Sequence, residues 1–204
     1  MPELHQEDLP EHVLLTAYVA ELPEWDCRSH VQRIRRYVYI MARETGLQHE
    51  DARLISIASI LHDVGKITLP VSLLRKVAHL EPAEHQLAER HTLEGARLLG
   101  GSRSAIIQAA EIIARTHHER WDGSGYPLGL KGQAVPLSGR IVGVADVFDA
   151  LTTKRTYKTP MDPEAALDLV RSASGTLFDP ELVTIFGRRC EDFIAILRTS
   201  NAAA

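Results

Sequence analysis

The sequence predicts an all-α fold, and three features of its 204 residues carry that expectation. Apolar side chains recur at three- and four-residue steps, as in Val31, Ile34, Val38 and Met41 and again in Leu54, Ile57, Ala58 and Leu61, which is the period of a helix with one buried face. Glycines and prolines fall where such helices would stop and start. No convincing strand, with its alternation of apolar and polar residues, interrupts the pattern.

Taken in order, the spacing predicts helices at about Pro10–Leu22, Asp26–Glu44, Asp51–His62, Glu81–Leu99, Ser104–His117, Ser138–Thr152, Asp162–Arg171 and Pro180–Leu197. Gly46 ends the second, Gly65 the third and the Gly100–Gly101 pair the fourth, because glycine accepts the left-handed backbone that closes a helix. Asp162 followed by Pro163 reads as an N-cap with proline in the first turn. Between the fifth and sixth helices, Arg120 to Pro136 holds Gly123, Gly125, Gly129, Gly132, Pro127 and Pro136, so this stretch is a long loop. Its aromatic residues, Trp121 and Tyr126, predict that it is ordered, and long ordered loops usually carry function. Residues 1–25 read as a helical arm, residues 26–200 as one compact domain and Asn201 to Ala204 as a frayed tail.

Composition narrows the chemistry. The chain is 45% hydrophobic and 25% charged, enough to bury a core and far from the profile of a disordered segment. Its formal net charge of -4 argues against the broad basic footprint of a DNA or RNA duplex binder. No apolar run approaches the roughly 20 residues that cross a bilayer, and the acidic start lacks the signature of a signal peptide, so a cytoplasmic location is expected. The only cysteines, Cys27 and Cys190, form neither a disulfide framework nor a thiolate metal motif. Any metal is therefore held by nitrogen and oxygen.

Ten histidines make their placement the informative question. His62 stands beside Asp63 with Lys66 four positions beyond His62, and the nearby Gly65 ends the helix, which lets both ligands reach one point. Asp26 and His30 share a helix face at i, i+4. His91 lies in another helical segment, His117 and His118 sit where a helix meets the glycine-rich loop, and Asp146 and Asp149 are spaced i, i+3 on the otherwise apolar IVGVADVFDAL. An aspartate among such neighbours needs compensation, which metal ions supply. Imidazole and carboxylate donors without thiolates suit Fe, Mn, Zn or Ni, and their number exceeds what one ion can use. Two or three ions bridged by Asp63 follow, and two ions roughly 3.5–4 Å apart can clamp the attacking and leaving oxygens of a phosphodiester. His5, His12, His49, His79 and His85 lie in polar surroundings and read as surface residues.

The segments LHDVGKI, HHERWDGSGYP and PLSGRIVGVADVFDALTTKRTYK resemble the HD-GYP phosphodiesterases, a branch of the HD metal-phosphohydrolase superfamily, and the similarity runs from about Asp26 to Phe186. The resemblance implies an HD-type helical bundle with a Gly-rich GYP loop, and hydrolysis of cyclic di-GMP to pGpG, in some members onward to GMP, at a bi- or trinuclear site that is often iron or manganese. It implies His30, His62, Asp63, His91, His117, His118 and Asp146 as metal ligands. Asp26 stands where members with a third ion have glutamate. By the same resemblance Asp63 bridges the ions, Lys66 lies near the scissile phosphate, Asp149 orients Lys66 or a metal-bound water, and Arg155 and Lys158 contact substrate. Tyr126, Gly123 and Gly125 belong to the loop that names the family, while Arg33 and Arg140 match family positions that also suit structural ion pairs. Cys27 replaces a frequent threonine, and Val71-Ser72 a commoner Pro-Asp. Larger members carry a sensor domain ahead of this one, so regulation here is expected from a partner or from expression level.

Two other functions fit the same residues. One is hydrolysis of another nucleotide, such as a mixed cyclic GMP-AMP or a guanosine polyphosphate. The other is a catalytically silent module that binds cyclic di-GMP or docks a GGDEF-domain cyclase through the Gly-Tyr-Pro loop.

Overall fold

A computed structural model describes residues 11–21, 27–76, 78–154 and 159–201. Eleven α-helices occur among them: α1 (Glu11–Glu21), α2 (Cys27–Glu44), α3 (His49–Ala58), α4 (Val71–Leu74), α5 (Pro82–Glu89), α6 (His91–Leu99), α7 (Ala105–Thr116), α8 (Leu137–Thr152), α9 (Pro163–Ser172), α10 (Pro180–Arg188) and α11 (Cys190–Asn201). Short 3-10 turns cover Ser59–Leu61, Val64–Thr68 and Gly132–Ala134. Among the described residues there is no strand, only an isolated bridge between Ser174 and Phe178. The all-α fold read from the sequence is the observed one.

α2 and α8 are buried along much of their length, through Val31, Ile34, Tyr37, Val38 and Met41 of α2 and Ile141, Val142, Val144, Ala145 and Phe148 of α8. Tyr37 of α2 stacks on Phe193 of α11 at 4.5 Å between ring centres, and Phe148 of α8 meets Phe186 of α10 edge-on at 5.1 Å. This aromatic cluster packs α2, α8, α10 and α11 together, while His30 of α2 meets Asp149 of α8 at 2.8 Å. α1 packs into this core through Val13, Ala17 and Ala20.

Two long helices expected from the sequence are each divided. The stretch from Glu81 to Leu99 breaks at Arg90, where the His91 ring takes the Ala88 carbonyl at 2.7 Å and the Thr92 hydroxyl takes the Glu89 carbonyl at 2.8 Å. Side chains of α6 thus satisfy the last carbonyls of α5 and redirect the chain. The stretch from Pro180 to Leu197 breaks at Arg189, whose φ of -109° leaves the helical region and whose guanidinium binds Glu44 at 2.6 Å and Asp192 at 2.7 Å. The apolar period continues across both breaks, so periodicity alone could not reveal them.

Gly65 lets the turn that follows Asp63 lie directly on α6. A Cβ at this position would stand 1.9 Å from the His91 carbonyl oxygen and 2.5 Å from the Gly95 nitrogen, both of them backbone. Gly65→Ala is expected to cost about 3 kcal/mol or more, since neither obstacle can rotate away. A fall in melting temperature of about 6 °C or more follows for a domain of this size. Gly95→Ala, whose Cβ would meet neighbours only at 3.2 Å and beyond, should cost less. Equal melting points for the two variants would refute this account.

Candidate metal centre

Five segments deliver the polar side chains to one place: α2 brings His30, the turns after α3 bring His62, Asp63 and Lys66, α6 begins with His91, α7 ends at His117 and His118, and α8 carries Asp146 and Asp149. The local backbone explains their aim. The Nδ1 of His62 faces the Ser59 carbonyl at 2.9 Å, that of His91 the Ala88 carbonyl at 2.7 Å, and that of His117 the Ile113 and Ala114 carbonyls, each at 3.1 Å. A carbonyl can only accept, so each Nδ1 carries a proton, and each ring in its neutral form offers Nε2 as a lone pair. His30 is held the same way by the Asp149 carboxylate, at 2.8 Å. Histidines oriented through one nitrogen and presenting the other are the usual arrangement at a metal.

Asp63 lies where these groups meet. Its Oδ1 is 3.2 Å from His91 Nε2 and 3.6 Å from His117 Nε2. Its Oδ2 is 3.2 Å from His62 Nε2 and 2.7 Å from Lys66 Nζ. Asp63, His91, His117 and His118 form one group whose ligand atoms lie within 4.8 Å of one another, and Glu21, His30 and His62 form a second. Asp146 reaches the gap between them, 3.9 Å from His62 Nε2. His62 Nε2, Asp63 Oδ1 and Glu21 Oε1 are buried without a hydrogen-bond partner, an arrangement that needs a bound ion or water to compensate it. The donor set therefore fits divalent metal.

Electrostatics point the same way. Burial holds His118 well below the usual histidine value and lowers His117, so both are neutral and ready to ligate at pH 7. Burial also opposes the charged forms of Asp63 and His62, but in each case the partners win. The charges of Lys66 and then His62 hold the Asp63 carboxyl well below the carboxylate range. Asp63 and then Asp146 and Glu21 push His62 up to about 9. Since that value exceeds the ordinary 6.5, the imidazolium stabilises the metal-free fold below pH 6.5, and this contribution is lost as pH rises through 9. Metal entry must displace the proton. Adding Mn²⁺ to metal-free protein at pH 7.5 is expected to release about one proton from this site, measurable as acidification of a weakly buffered solution. Binding without proton release would remove His62 from the ligand set.

The glycine-rich loop is ordered and anchored. The buried Glu119 accepts the Leu128 amide at 2.7 Å and the Leu130 amide at 2.9 Å, while the Trp121 and Asp122 amides bind the Leu177 and Thr176 carbonyls. Tyr126 stacks on His118 at 4.8 Å, so the loop lies against a candidate ligand. Gly125 permits this, because a Cβ there would stand 2.4 Å from the Arg120 nitrogen. Gly123, with φ of +87°, turns the chain beside Lys131.

The sequence matches the family profile described as the HD domain over residues 17–182. The chain belongs to the HD domain family. Among curated HD relatives, it is 40% identical over 191 residues to a 3'3'-cGAMP-specific phosphodiesterase 2 of Vibrio cholerae, covering 94% of this chain and 37% of that protein. It is also 40% identical over 182 residues to a cyclic di-GMP phosphodiesterase of Thermotoga maritima, covering 89% of this chain and 50% of the relative. The chain thus spans half or less of the length of these two relatives. A crystal structure of a cyclic GMP-AMP specific phosphodiesterase of V. cholerae shares the fold, with a TM-score of 0.65 at 20% identity over 90% of this chain and 50% of that one. The resemblance to HD-GYP proteins read from the motifs agrees with these matches.

Not every residue singled out from the sequence converges on the HD centre. His30, His62, Asp63, Lys66, His91, His117, His118 and Asp146 do, with Tyr126 packed on its rim. Asp149 is fully buried behind His30 and binds Arg33 rather than Lys66. Arg140 pairs with Asp179 and takes the Val135 carbonyl, so both matched arginines make structural ion pairs. Asp26, Arg155 and Lys158 lie outside the described residues. His12, His49, His79 and His85 are exposed. Sequence reasoning missed Glu21 and Glu119. Glu21 left a signal, an acid on the buried stripe Val13–Ala17–Ala20 of α1; Glu119 left none, because the amides it binds lie nine and eleven residues away.

No helix among the described residues is long and apolar enough to cross a membrane.

Proposed function

We propose that this HD domain is a metal-dependent cyclic dinucleotide phosphodiesterase acting on cyclic di-GMP, yielding pGpG and then GMP. The observation that carries the reading is the meeting of two inward-facing ligand groups at Asp63, a carboxylate able to bridge two ions. In this reading Asp63, His91, His117 and His118 hold one ion and His30, His62, Asp63 and Asp146 another, iron or manganese, with Asp26 available to a third. Ions held there would lower the pKa of a water and neutralise phosphoryl charge. Lys66, 2.7 Å from Asp63, offers its ammonium to the scissile phosphate. Asp149 acts from behind: it fixes the His30 ring so that Nε2 faces the centre. Tyr126 offers an aromatic face beside the ligands, and Glu119, through the loop it anchors, holds that face in place. Arg155 and Lys158 are assigned to substrate contact, and Gly123 and Gly125 to the backbone of the same rim.

A second substrate, 3'3'-cGAMP, is favoured by the name of the Vibrio relative. We assign the catalytic unit to residues 26–200, preceded by a helical arm over residues 1–25, and place the activity in the cytoplasm. A GGDEF-domain protein is the proposed partner at the Gly-Tyr-Pro loop.

The test is product chromatography after anaerobically purified, metal-assayed protein meets cyclic di-GMP, 3'3'-cGAMP and cyclic di-AMP in parallel. Metal-dependent pGpG or GMP supports the first reading. Exclusive turnover of 3'3'-cGAMP supports the second, and no turnover with a full metal complement defeats both.

A further inference from the structure

Glu21 is the last residue of α1 and belongs to none of the motifs in the sequence. Its carboxylate is 1% exposed, on the stripe through which α1 packs into the core. A carboxylate so buried requires compensation. One oxygen, Oε2, lies 3.4 Å from Lys66 Nζ, but that ammonium is closer to Asp63, at 2.7 Å. The other oxygen, Oε1, has no hydrogen-bond partner. The carboxylate lies within reach of imidazole nitrogen: one ligand atom each of Glu21, His30 and His62 lie within 4.8 Å of one another. The Nδ1 atoms of both rings are engaged, His30 with Asp149 and His62 with the Ser59 carbonyl, so Nε2 is the nitrogen each offers. His62 Nε2 is itself buried without a hydrogen-bond partner.

We infer that Glu21 is a metal ligand, the carboxylate that holds a divalent cation together with His30 and His62 at the α1 end of the centre. One carboxylate and two imidazoles form a donor set suited to manganese, iron or zinc. The inference rests on the metal-binding part of the proposed function and is independent of the substrate. It makes α1 part of the centre: binding a cation there ties α1 to α2 and to the turn after α3.

The experiment is a Mn²⁺ titration of chelator-stripped protein, read by the electron paramagnetic resonance of free Mn²⁺, with Glu21→Gln, Lys66→Met and His91→Ala alongside the wild type. Glu21→Gln is expected to weaken one class of Mn²⁺ sites at least about 10-fold, while the class lost in His91→Ala stays as in the wild type. Lys66→Met should leave the Glu21-dependent class unchanged or tightened, since a competing cation has gone. Hydrogen exchange gives a second readout: Mn²⁺ should slow exchange at the end of α1 in the wild type but not in Glu21→Gln. If Glu21→Gln fails to fold, Glu21→Asp keeps the charge, shortens the reach and should show the same weakened class. A wild-type titration curve in a folded Glu21 variant overturns the inference. So does an equal loss of Mn²⁺ in Lys66→Met, which would make Glu21 a partner of the lysine alone. Glu21-dependent Mn²⁺ binding without turnover of any cyclic dinucleotide would keep the ligand and reject the substrate; turnover with Glu21-independent binding would do the reverse.

Discussion

Asp63→Ala is expected to abolish hydrolysis and to strip the protein of most of its metal. Asp63 faces both ligand groups: one oxygen lies 3.2 and 3.6 Å from His91 and His117, the other 3.2 Å from His62. Removing it deprives two ions of a shared anion and leaves five imidazoles with too little negative charge to hold divalent cations together. Turnover should fall by about 10⁴-fold or more, the scale seen when a member of a cooperating catalytic set is deleted. Bound metal should fall well below one ion per chain when measured by elemental analysis. Asp63→Asn, which preserves shape and removes charge, should behave alike and so exclude misfolding as the cause. An Asp63→Ala protein that retains wild-type metal and wild-type rate would end the bridging assignment.

Asp149→Ala is expected to produce the largest loss of stability. Asp149 and Arg33 are both fully buried, with Nε to Oδ1 at 2.6 Å and Nη2 to Oδ2 at 3.0 Å, and His30 adds a third bond at 2.8 Å. A guanidinium cannot shed its charge, so deleting its carboxylate strands a cation in the core, at a cost of about 3–5 kcal/mol. The metal-free protein should then melt about 6–20 °C lower. Replacing both partners, as in Arg33→Met with Asp149→Leu, should recover part of the loss, because no charge is then left buried. A melting point within 2 °C of wild type, on the order of 1 kcal/mol or less, would show that the pair contributes little. The same carboxylate sets an acid limit. Burial raises its pKa, but hydrogen bonds from His30 and Arg33 outweigh burial and hold it below the ordinary 3.8. Its contribution is therefore complete above that value and is lost as pH falls through the lowered one.

Much of the molecule was legible before any coordinates. The helical period located the helices because amphipathicity is written locally, every three or four residues. The breaks at Arg90 and Arg189 were not legible, since the apolar stripe continues through them while side-chain bonds decide the turn, local ones from His91 and Thr92 at the first and a distant partner, Glu44, at the second. His62–Asp63 pointed to a metal centre only together with His30, His91, His117–His118 and Asp146, because a lone His-Asp pair equally suits a helix-terminal hydrogen bond.

The sequence by itself determined the fold class, the motifs that supply the ligands, and the exclusion of thiolate chemistry. The tertiary structure decided which nitrogen each histidine presents, because that depends on the carbonyl or carboxylate behind the ring. It also decided that Asp149 serves Arg33 and His30, that Glu119 anchors the glycine-rich loop, and that α1 delivers Glu21 beside His30 and His62. These are contacts between segments distant along the chain. Local patterning encodes which face of an element is buried, while the identity of its partner is fixed only when the faces meet.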